Sequence, residues 1–313
     1  MPLLHSIVIT MVFGLCMAVH AQGQQAPMLI AEGDSLLDAN APDKAMVKFN
    51  AALALKPSAD GYAGRAQGAL VLGQYDLYLQ DVQRALGLDS LHARANCQRA
   101  WYALRVDDYR GALHFADRAV ANAGTADLRR RALVIRGEAR ADLGMNSTAI
   151  EDLTAGLVHC SAADAEALKT LARLHDAANN PAASLAVLET LCNLVPSDIG
   201  NWANKGYELN RLERYEEALA ALDQALLLDK DEPVVLSNKA YALLKLGHDA
   251  EAFSAVNRSL KADKLNPHAL RTRALLYLRK GDRNKACTDL GLAKAMGGAP
   301  EVDAMVKQHC AGL

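Results

Sequence analysis

The sequence of 313 residues predicts an all-α fold, a solenoid of about eight stacked helix-turn-helix repeats. Three observations predict this fold class: a period of about 34 residues, small and apolar residues at helical spacing within each period, and the overall composition. A fixed period of this length is the signature of stacked supersecondary units. With 51% hydrophobic but only 5% aromatic residues, the composition favours packed helices over a mixed α/β enzyme.

The first helix of each unit is marked by one small residue that recurs along the chain. The steps between successive copies are 33, 34, 37, 35, 34, 34 and 34 residues. A small side chain is expected here because two helix backbones approach each other closely at this point. The copies are Gly33, Ala66, Ala100, Gly137, Ala172, Gly206, Ala240 and Ala274.

A turn is predicted seven residues after each small residue. Seven of the eight turn positions hold Gly, Asn or Asp, which tolerate the left-handed conformation that ends a helix. Glu213 is the exception. The positions are Asn40, Gly73, Asp107, Gly144, Asn179, Glu213, Gly247 and Gly281.

The second helix of each unit presents another small position and, four residues later, an apolar residue that fills the groove between helices. Tyr78 and Leu191 occupy positions that favour small residues, so units two and five are expected to be the least regular. The 37-residue step predicts a longer turn around residues 122–125 and a break in regularity there. The filling residues are Phe49, Val82, Ala116, Leu153, Leu188, Leu222, Val256 and Leu290.

The sixth unit resembles the tetratricopeptide repeat, through Trp202, Gly206, Tyr207, Tyr215 and Ala218 at the family's spacing. The resemblance covers about residues 26–300. It implies a right-handed superhelix that binds a protein or peptide in its concave groove, with no catalytic activity, cofactor or metal. The domain prediction is an array over residues 22–300, with repeats starting near residues 26, 59, 93, 130, 165, 199, 233 and 267.

The C-terminal segment, residues 299–313, is predicted to be a helix that caps the last unit. A disulfide between Cys287 and Cys310 would fasten this cap in an oxidising compartment. Cys160 and Cys192 are a second candidate pair, near the ends of neighbouring second helices, and Cys97 would stay free. The alternative is that these cysteines are small buried hydrophobic residues.

The N-terminal residues 1–21 contain an apolar run and no Asp, Glu, Lys or Arg, and are followed by a polar segment. This pattern indicates a secretory signal peptide cleaved after Ala21, although its first residues lack the usual positive charge. A single membrane anchor is the alternative. Because family members with a signal peptide belong mostly to bacterial envelopes, the resemblance implies a periplasmic location. No membrane span is expected in the mature chain.

The candidate binding residues lie on the first helices, which line the concave groove in the family. Asn204 and Asn238 occupy equivalent places in units six and seven, and Tyr207 and Tyr241 follow each of them by three residues. An Asn amide both donates and accepts, so it suits the backbone of an extended peptide. The other candidates are Lys169, Arg173, Arg271, Thr272 and Trp101.

Three alternatives accompany this interpretation. The Asn residues could be merely solvated, and the tyrosines could cover contacts between repeats. The chain could be a structural subunit or assembly factor of an envelope complex that uses its convex face or its ends. An enzyme with a site hidden between repeats is disfavoured because no His-Glu-x-x-His, Cys-x-x-Cys, nucleophile-elbow or phosphate-loop motif occurs.

Charge adds one further expectation. The net charge of −2 gives no electrostatic reason to expect nucleic acid as a partner. Residues 267–298 hold seven bases and two acids. This excess is either a set of solvated pairs with neighbouring faces, or a basic end of the groove that favours an acidic ligand segment.

Overall fold

The computed structural model describes residues 25–297 and 301–311. Within these residues the secondary structure is helical, with turns and no strand. The chain divides into two compact halves between Val158 and His159. We call these halves unit 1 and unit 2, with numerals, to distinguish them from the eight repeat units, whose numbers are written as words. The all-α fold of paired helices with a C-terminal capping helix is thereby confirmed.

Unit 1 contains eight helices, which form four successive antiparallel pairs joined by short turns. Its helices are α1 (25–38), α2 (Pro42–Leu55), α3 (Ala59–Val71), α4 (Tyr75–Leu88), α5 (Ala93–Arg105), α6 (Tyr109–Asn122), α7 (Ala126–Asp142) and α8 (Asn146–Gly156).

Unit 2 begins with a short 3₁₀ turn, Ala162–Asp164, and continues with four helix pairs and the capping helix. Its helices are α9 (Ala165–Ala177), α10 (Pro181–Leu194), α11 (Ile199–Arg211), α12 (Tyr215–Leu228), α13 (Pro233–Lys245), α14 (Asp249–Ala262), α15 (Pro267–Arg279), α16 (Arg283–Ala295) and α17 (Val302–His309).

Helix starts carry recognisable local signals. Pro occupies the first helical position of α2, α10, α13 and α15, where its missing N–H costs no hydrogen bond. Side-chain caps are present at Ser58, Thr125 and Asp198, each of which accepts a hydrogen bond from a backbone N–H of the first turn. These signals fix the starts of first helices and of second helices alike.

The predicted close approach between helices is observed. A Cβ atom on Gly33 would lie 2.7 Å from the ring of Phe49, and one on Gly137 would lie 2.7 Å from Cγ of Leu153. The filling residues Phe49, Leu153 and Leu222 are fully buried. Each contributes about 1.5–3 kcal/mol by its burial.

The 37-residue step has a different structural origin from the one predicted. Residues 123–125 form a short connection, and the additional residues lengthen α7 to 17 residues, against 13 in α5 and α11. Thr125 caps this longer helix. The prediction of a longer turn at residues 122–125 was therefore wrong, and the division between units falls further along the chain. There α8 ends early, at Gly156, after 11 residues.

Tyr78 is accommodated at its predicted small position. Its side chain is 1% exposed, its hydroxyl donates to the carbonyl of Gln98 at 2.6 Å, and its ring packs edge-on against Trp101. Burial raises the pKa of Tyr78 above its ordinary value. Tyr78 belongs to a buried cluster with Ala66 and Ala69 of α3, whose small side chains leave room for its ring.

The capping helix α17 is joined to α16 by the disulfide Cys287–Cys310, with Cα atoms 5.6 Å apart. Val302 is buried against the last helix pair, and Arg283 donates to the carbonyl of His309. The apolar end of the last repeat is therefore covered by a short helix that is both packed and covalently fastened.

The second cysteine pair does not form. Cys160, Cys192 and Cys97 are free thiols. Because α8 ends four residues before Cys160, this residue lies on an irregular segment, whereas Cys192 is buried in the last turn of α10. The prediction of a Cys160–Cys192 disulfide is thus wrong. Burial raises the pKa of the Cys97 and Cys192 thiols to about 11.

Candidate functional site

Three adjoining hollows lie along the first helices of unit 2, and we call them together the unit 2 groove. Their volumes are about 590, 400 and 620 Å³. Tyr207 lines all three hollows, Asn204 lines the first two, and Asn238 lines the last two. Eight candidate residues line the groove: Lys169, Arg173, Asn204, Tyr207, Asn238, Tyr241, Arg271 and Thr272.

The two asparagines keep their amides available. Asn204 is exposed and Asn238 is half-buried. Among the described residues neither side-chain amide forms a hydrogen bond, although the backbone carbonyl of Asn238 accepts one from Nδ2 of Asn210 at 3.0 Å. Each amide can therefore donate to a carbonyl and accept from an N–H of a ligand.

The two tyrosines provide half-buried aromatic surface between the asparagines and nearby cations. The guanidinium of Arg271 lies 5.1 Å from the ring centre of Tyr241, and that of Arg211 lies 5.8 Å from the ring centre of Tyr207. Tyr215 also packs edge-on against Tyr241. These contacts hold the rings in place, so little side-chain freedom remains to be lost on binding.

The charged candidates differ in their availability. Lys169 already bonds to Asp198 at 2.9 Å and to Glu166 at 3.1 Å, and these carboxylates raise its pKa. Arg173 is exposed and forms no ion pair with the described residues. Arg271 contacts Glu301 at 3.4 Å. Arg173 is thus the cation of this groove that is best placed to meet a ligand.

Two of the predicted binding residues, Thr272 and Trp101, are engaged in contacts within the protein. Thr272 is 1% exposed, and its hydroxyl donates to the carbonyl of His268 one turn earlier at 2.9 Å, so it offers little to a ligand. Trp101 belongs to unit 1, where its indole packs on Tyr78 and lies beside the Arg105 guanidinium. Its place in the repeat resembles that of a groove residue, but its side chain packs against the large ring of Tyr78.

Several buried polar groups that line the groove were not predicted from the sequence. Nδ2 of Asn201, Oγ of Ser237 and Oδ1 of Asn210 are buried and have no hydrogen-bond partner within the described part of the chain. An unsatisfied buried polar atom costs about 1–3 kcal/mol, so a ligand that bonds to it gains affinity. The sequence does contain a signal for Asn201, because this polar residue occupies a place that is apolar in the next two repeats. The equivalent residues are Val235 in unit seven and Ala269 in unit eight.

Glu208 is a second missed residue, and it is 2% exposed at the side of the first hollow. Burial raises the pKa of its carboxyl, and this effect exceeds the opposing ones of Ser184 and Arg211. Arg211 donates to Glu208 at 2.9 Å, to Asp176 at 2.5 Å and to Asn179 at 2.6 Å. The groove wall thus contains one shared guanidinium between two carboxylates.

The basic excess of residues 267–298 is largely engaged within unit 2. Arg273 forms two hydrogen bonds with Asp289, Arg279 pairs with Asp249, and Lys294 pairs with Asp303. The pairing favours solvated and half-buried ion pairs over a basic end of the groove. An acidic ligand segment therefore gains no support from this region.

The described residues offer neither a metal site nor a helix that could span a membrane. Within residues 25–297 and 301–311, no group of three His, Cys, Asp or Glu side chains is arranged to hold a metal ion. In the same part of the chain, none of the helices combines the length and the apolar character needed to cross a membrane. The predicted signal peptide, residues 1–21, lies outside the described residues.

Paired helices with a small residue at each close approach, repeated along the chain, define a helical-repeat protein, an α-solenoid. A family model of the tetratricopeptide repeat matches residues 199–232. The repeat of the sixth unit is therefore a tetratricopeptide repeat, and the chain has the fold of a tetratricopeptide-repeat protein. This fold is typical of scaffolds for protein–protein interaction.

Solved structures with the same fold include YrrB, described as a TPR protein with an unusual peptide-binding site. The TM-score is 0.56 at 16% identity, over 61% of this chain and 97% of that chain. A structure of MamA AMB-1 gives a TM-score of 0.50 at 17% identity, over 56% of this chain and 94% of that chain. No curated protein matches the chain. At these identities the likeness concerns the fold alone.

Proposed function

We propose that the unit 2 groove binds an extended peptide segment of a partner protein, and that the chain acts as a non-catalytic scaffold. The observation that carries the proposal is the continuity of the groove. Asn204, Tyr207 and Asn238 connect three hollows on successive first helices, and the amides of both Asn residues are unengaged within the described chain. An extended backbone presents carbonyls and N–H groups in alternation, which suits such a row.

The buried polar atoms support the same ligand. Asn201 offers an unpartnered donor, Asn210 an unpartnered acceptor, and the hydroxyl of Ser237 can act as either. A ligand with only acceptors or only donors would leave part of this set unsatisfied. A peptide backbone supplies both kinds of group, and its apolar side chains would lie on Tyr207 and Tyr241.

The test is affinity capture from an envelope extract with the predicted mature chain, residues 22–313. The parent is compared with Asn204→Ala/Asn238→Ala and with a control, Asn193→Ala/Asn284→Ala, which alters two exposed residues on second helices. We expect the partner to be retained by the parent and the control and lost by the groove variant. A partner retained equally by all three would move the interface to the convex face or the ends.

We further propose that the chain works in an oxidising envelope compartment, most simply the periplasm. The charge-free apolar run of residues 1–21 and the Cys287–Cys310 disulfide support this location, because disulfides persist outside the reducing cytosol. Alkylation of the denatured protein without reductant should modify Cys97, Cys160 and Cys192 only. Modification of all five cysteines in freshly extracted protein would contradict the proposal.

A further inference from the structure

Unit 1 contains a hollow of about 940 Å³ along its own first helices, α1, α3, α5 and α7, which we call the unit 1 hollow. This volume is in the range of ligand pockets in proteins. Its lining is markedly acidic, with five aspartates and two arginines. The aspartates are Asp34, Asp38, Asp60, Asp89 and Asp127.

The cations of the hollow are already occupied by three of the aspartates. Arg94 pairs with Asp34 at 2.7 Å, and Nε of Arg131 lies 2.9 Å from Asp127. His92 shares a hydrogen bond of 2.9 Å with Asp60. Each of these three side chains therefore already has a carboxylate partner within the hollow.

Two aspartates remain without a cationic partner among the described residues. Asp38 is exposed at the last position of α1. Asp89 accepts a hydrogen bond from the backbone N–H of Leu91 through Oδ1, which leaves its second oxygen open. Both carboxylates can accept hydrogen bonds from a donor that enters the hollow.

The buried lining provides an independent indication of the ligand. Gln98 is 7% exposed, and its Nε2 donates to the carbonyl of Ala63 at 2.9 Å. Since a carbonyl can only accept, this bond fixes the orientation of the amide. Oε1 of Gln98 is consequently an acceptor, and it is buried with no hydrogen-bond partner in the part of the chain that the structure describes.

The unused groups on Asp38, Asp89 and Gln98 of the unit 1 hollow are therefore acceptors, whereas those on Asn201, Asn210 and Ser237 of the unit 2 groove are mixed. We propose that the unit 1 hollow binds a basic segment of a partner protein, in which arginine or lysine side chains donate to these acceptors. A guanidinium is the better match because it offers five donors and is weakly hydrated. This site is separate from the unit 2 groove and does not depend on it.

The test measures fluorescence anisotropy of a labelled peptide of alternating arginine and glycine on the full predicted mature chain. The comparison peptide replaces arginine with citrulline, which keeps the shape and removes the charge. We expect the arginine peptide to bind at least about tenfold more tightly, and its affinity to fall as salt is raised. Equal affinity for the two peptides would overturn the proposal.

A matched pair of variants locates the site. Asp38→Lys should weaken binding of the arginine peptide about tenfold, because it replaces an attraction by a repulsion. Asp142→Lys is the control: Asp142 is the exposed last residue of α7, in the same register as Asp38 in α1, but outside the hollow. Equal weakening by both variants would indicate attraction to the overall charge and contradict the proposed site.

The variants also separate binding from folding. A lysine at a helix C-terminus is favourable to the helix dipole, so Asp38→Lys should keep its circular dichroism spectrum. Asp38→Asn, with an intermediate loss of affinity, provides a second variant. Because Asn204→Ala/Asn238→Ala should bind the arginine peptide like the parent, failure of this proposal and failure of the unit 2 groove are distinguishable.

Discussion

One residue in each turn within a helix pair adopts a left-handed backbone conformation. Gly provides it in four turns, with φ between 72° and 83°, and non-glycine residues provide it in the other four. Asn40, Asp107 and Asn179 tolerate this conformation, but Glu213 adopts it at φ 59° with a long side chain. A left-handed conformation costs an ordinary residue about 1–2 kcal/mol.

At the residue scale, we predict that Glu213→Asn stabilises the protein by about 1 kcal/mol, since Asn occupies the equivalent turns at φ 54°. Urea unfolding monitored by circular dichroism measures the change. Glu216→Asn is the control, because Glu216 is exposed in the first turn of α12 and has an ordinary helical backbone. Stabilisation that is equal at both positions would contradict the conformational explanation.

Glu208 gives a second prediction at this scale. Its pKa is raised in the folded state, so its neutral form is favoured there. The stabilisation that the neutral carboxyl of Glu208 gives the folded state is fully present below the unfolded pKa of about 4.3. It is lost as pH rises through the pKa of the folded state. From pH 4 to pH 7, Glu208→Gln should therefore gain stability relative to the parent.

The measurement for Glu208 is the free energy of unfolding at several pH values, compared between variant and parent. Glu216→Gln, in which the replaced carboxyl is exposed, should follow the parent in parallel. The explanation by burial fails if the Glu208→Gln curve is also parallel to that of the parent, or if its relative stability falls as pH rises.

Some residue-level features could be predicted from the sequence and others could not. The turn residues follow from intrinsic conformational preference, and the structure confirms the seven predicted ones and adds Glu213. The ion pairs Arg65–Asp81, Arg136–Asp152 and Arg273–Asp289 were missed. Each pair is 16 residues apart and spans two helices, so no single-helix pattern reveals it. Asp81 is fully buried in such a pair.

At the scale of elements, the repeat depends on how the small residue meets the filling residue. A Cβ atom on Gly206 would overlap the side chain of Leu222, whereas the equivalent pair in unit seven is Ala240 with the smaller Val256. The lengths of helices were less predictable than these contacts. A 37-residue step is compatible with a longer turn or with a longer helix, and the structure shows the longer helix, α7, which begins after the cap at Thr125.

We predict that Gly206→Ala destabilises the protein by overpacking, by about 1–3 kcal/mol before the gain of about 1 kcal/mol in helix propensity. Leu222→Val should relieve the overlap. The double variant should therefore lose less stability than the sum of the single variants, with a coupling energy of about 1 kcal/mol.

The control for this coupling combines Gly206→Ala with Leu290→Val, a filling residue of the eighth unit that is also fully buried. These two positions belong to different repeats, so their effects should add within about 0.3–0.5 kcal/mol. Equal coupling in both double variants would show that Leu222 is not specifically matched to Gly206. Guanidinium unfolding at equilibrium supplies the free energies of all six proteins: the parent, the three single variants and the two double variants.

At the scale of the whole molecule, the chain offers two surfaces of different chemistry. Most of the unit 2 groove was predictable, because Asn and Tyr repeat at equivalent places of successive first helices. The unit 1 hollow was not, because its aspartates come from three helices and from the connection before α5, without a common register. Trp101 shows the same limit: its place in the repeat indicated a groove, but packing on Tyr78 decided its role.

The central claim is that the partner lies in the unit 2 groove. The most direct measurement is photocrosslinking with a benzophenone amino acid at Val234, which is exposed and lines the second hollow, or at Leu227, which is exposed on α12. We predict that position 234 crosslinks to the partner, that position 227 does not, and that Asn204→Ala/Asn238→Ala abolishes the crosslink. A crosslink from position 227 with none from position 234 would contradict the claim and place the partner on the second-helix side.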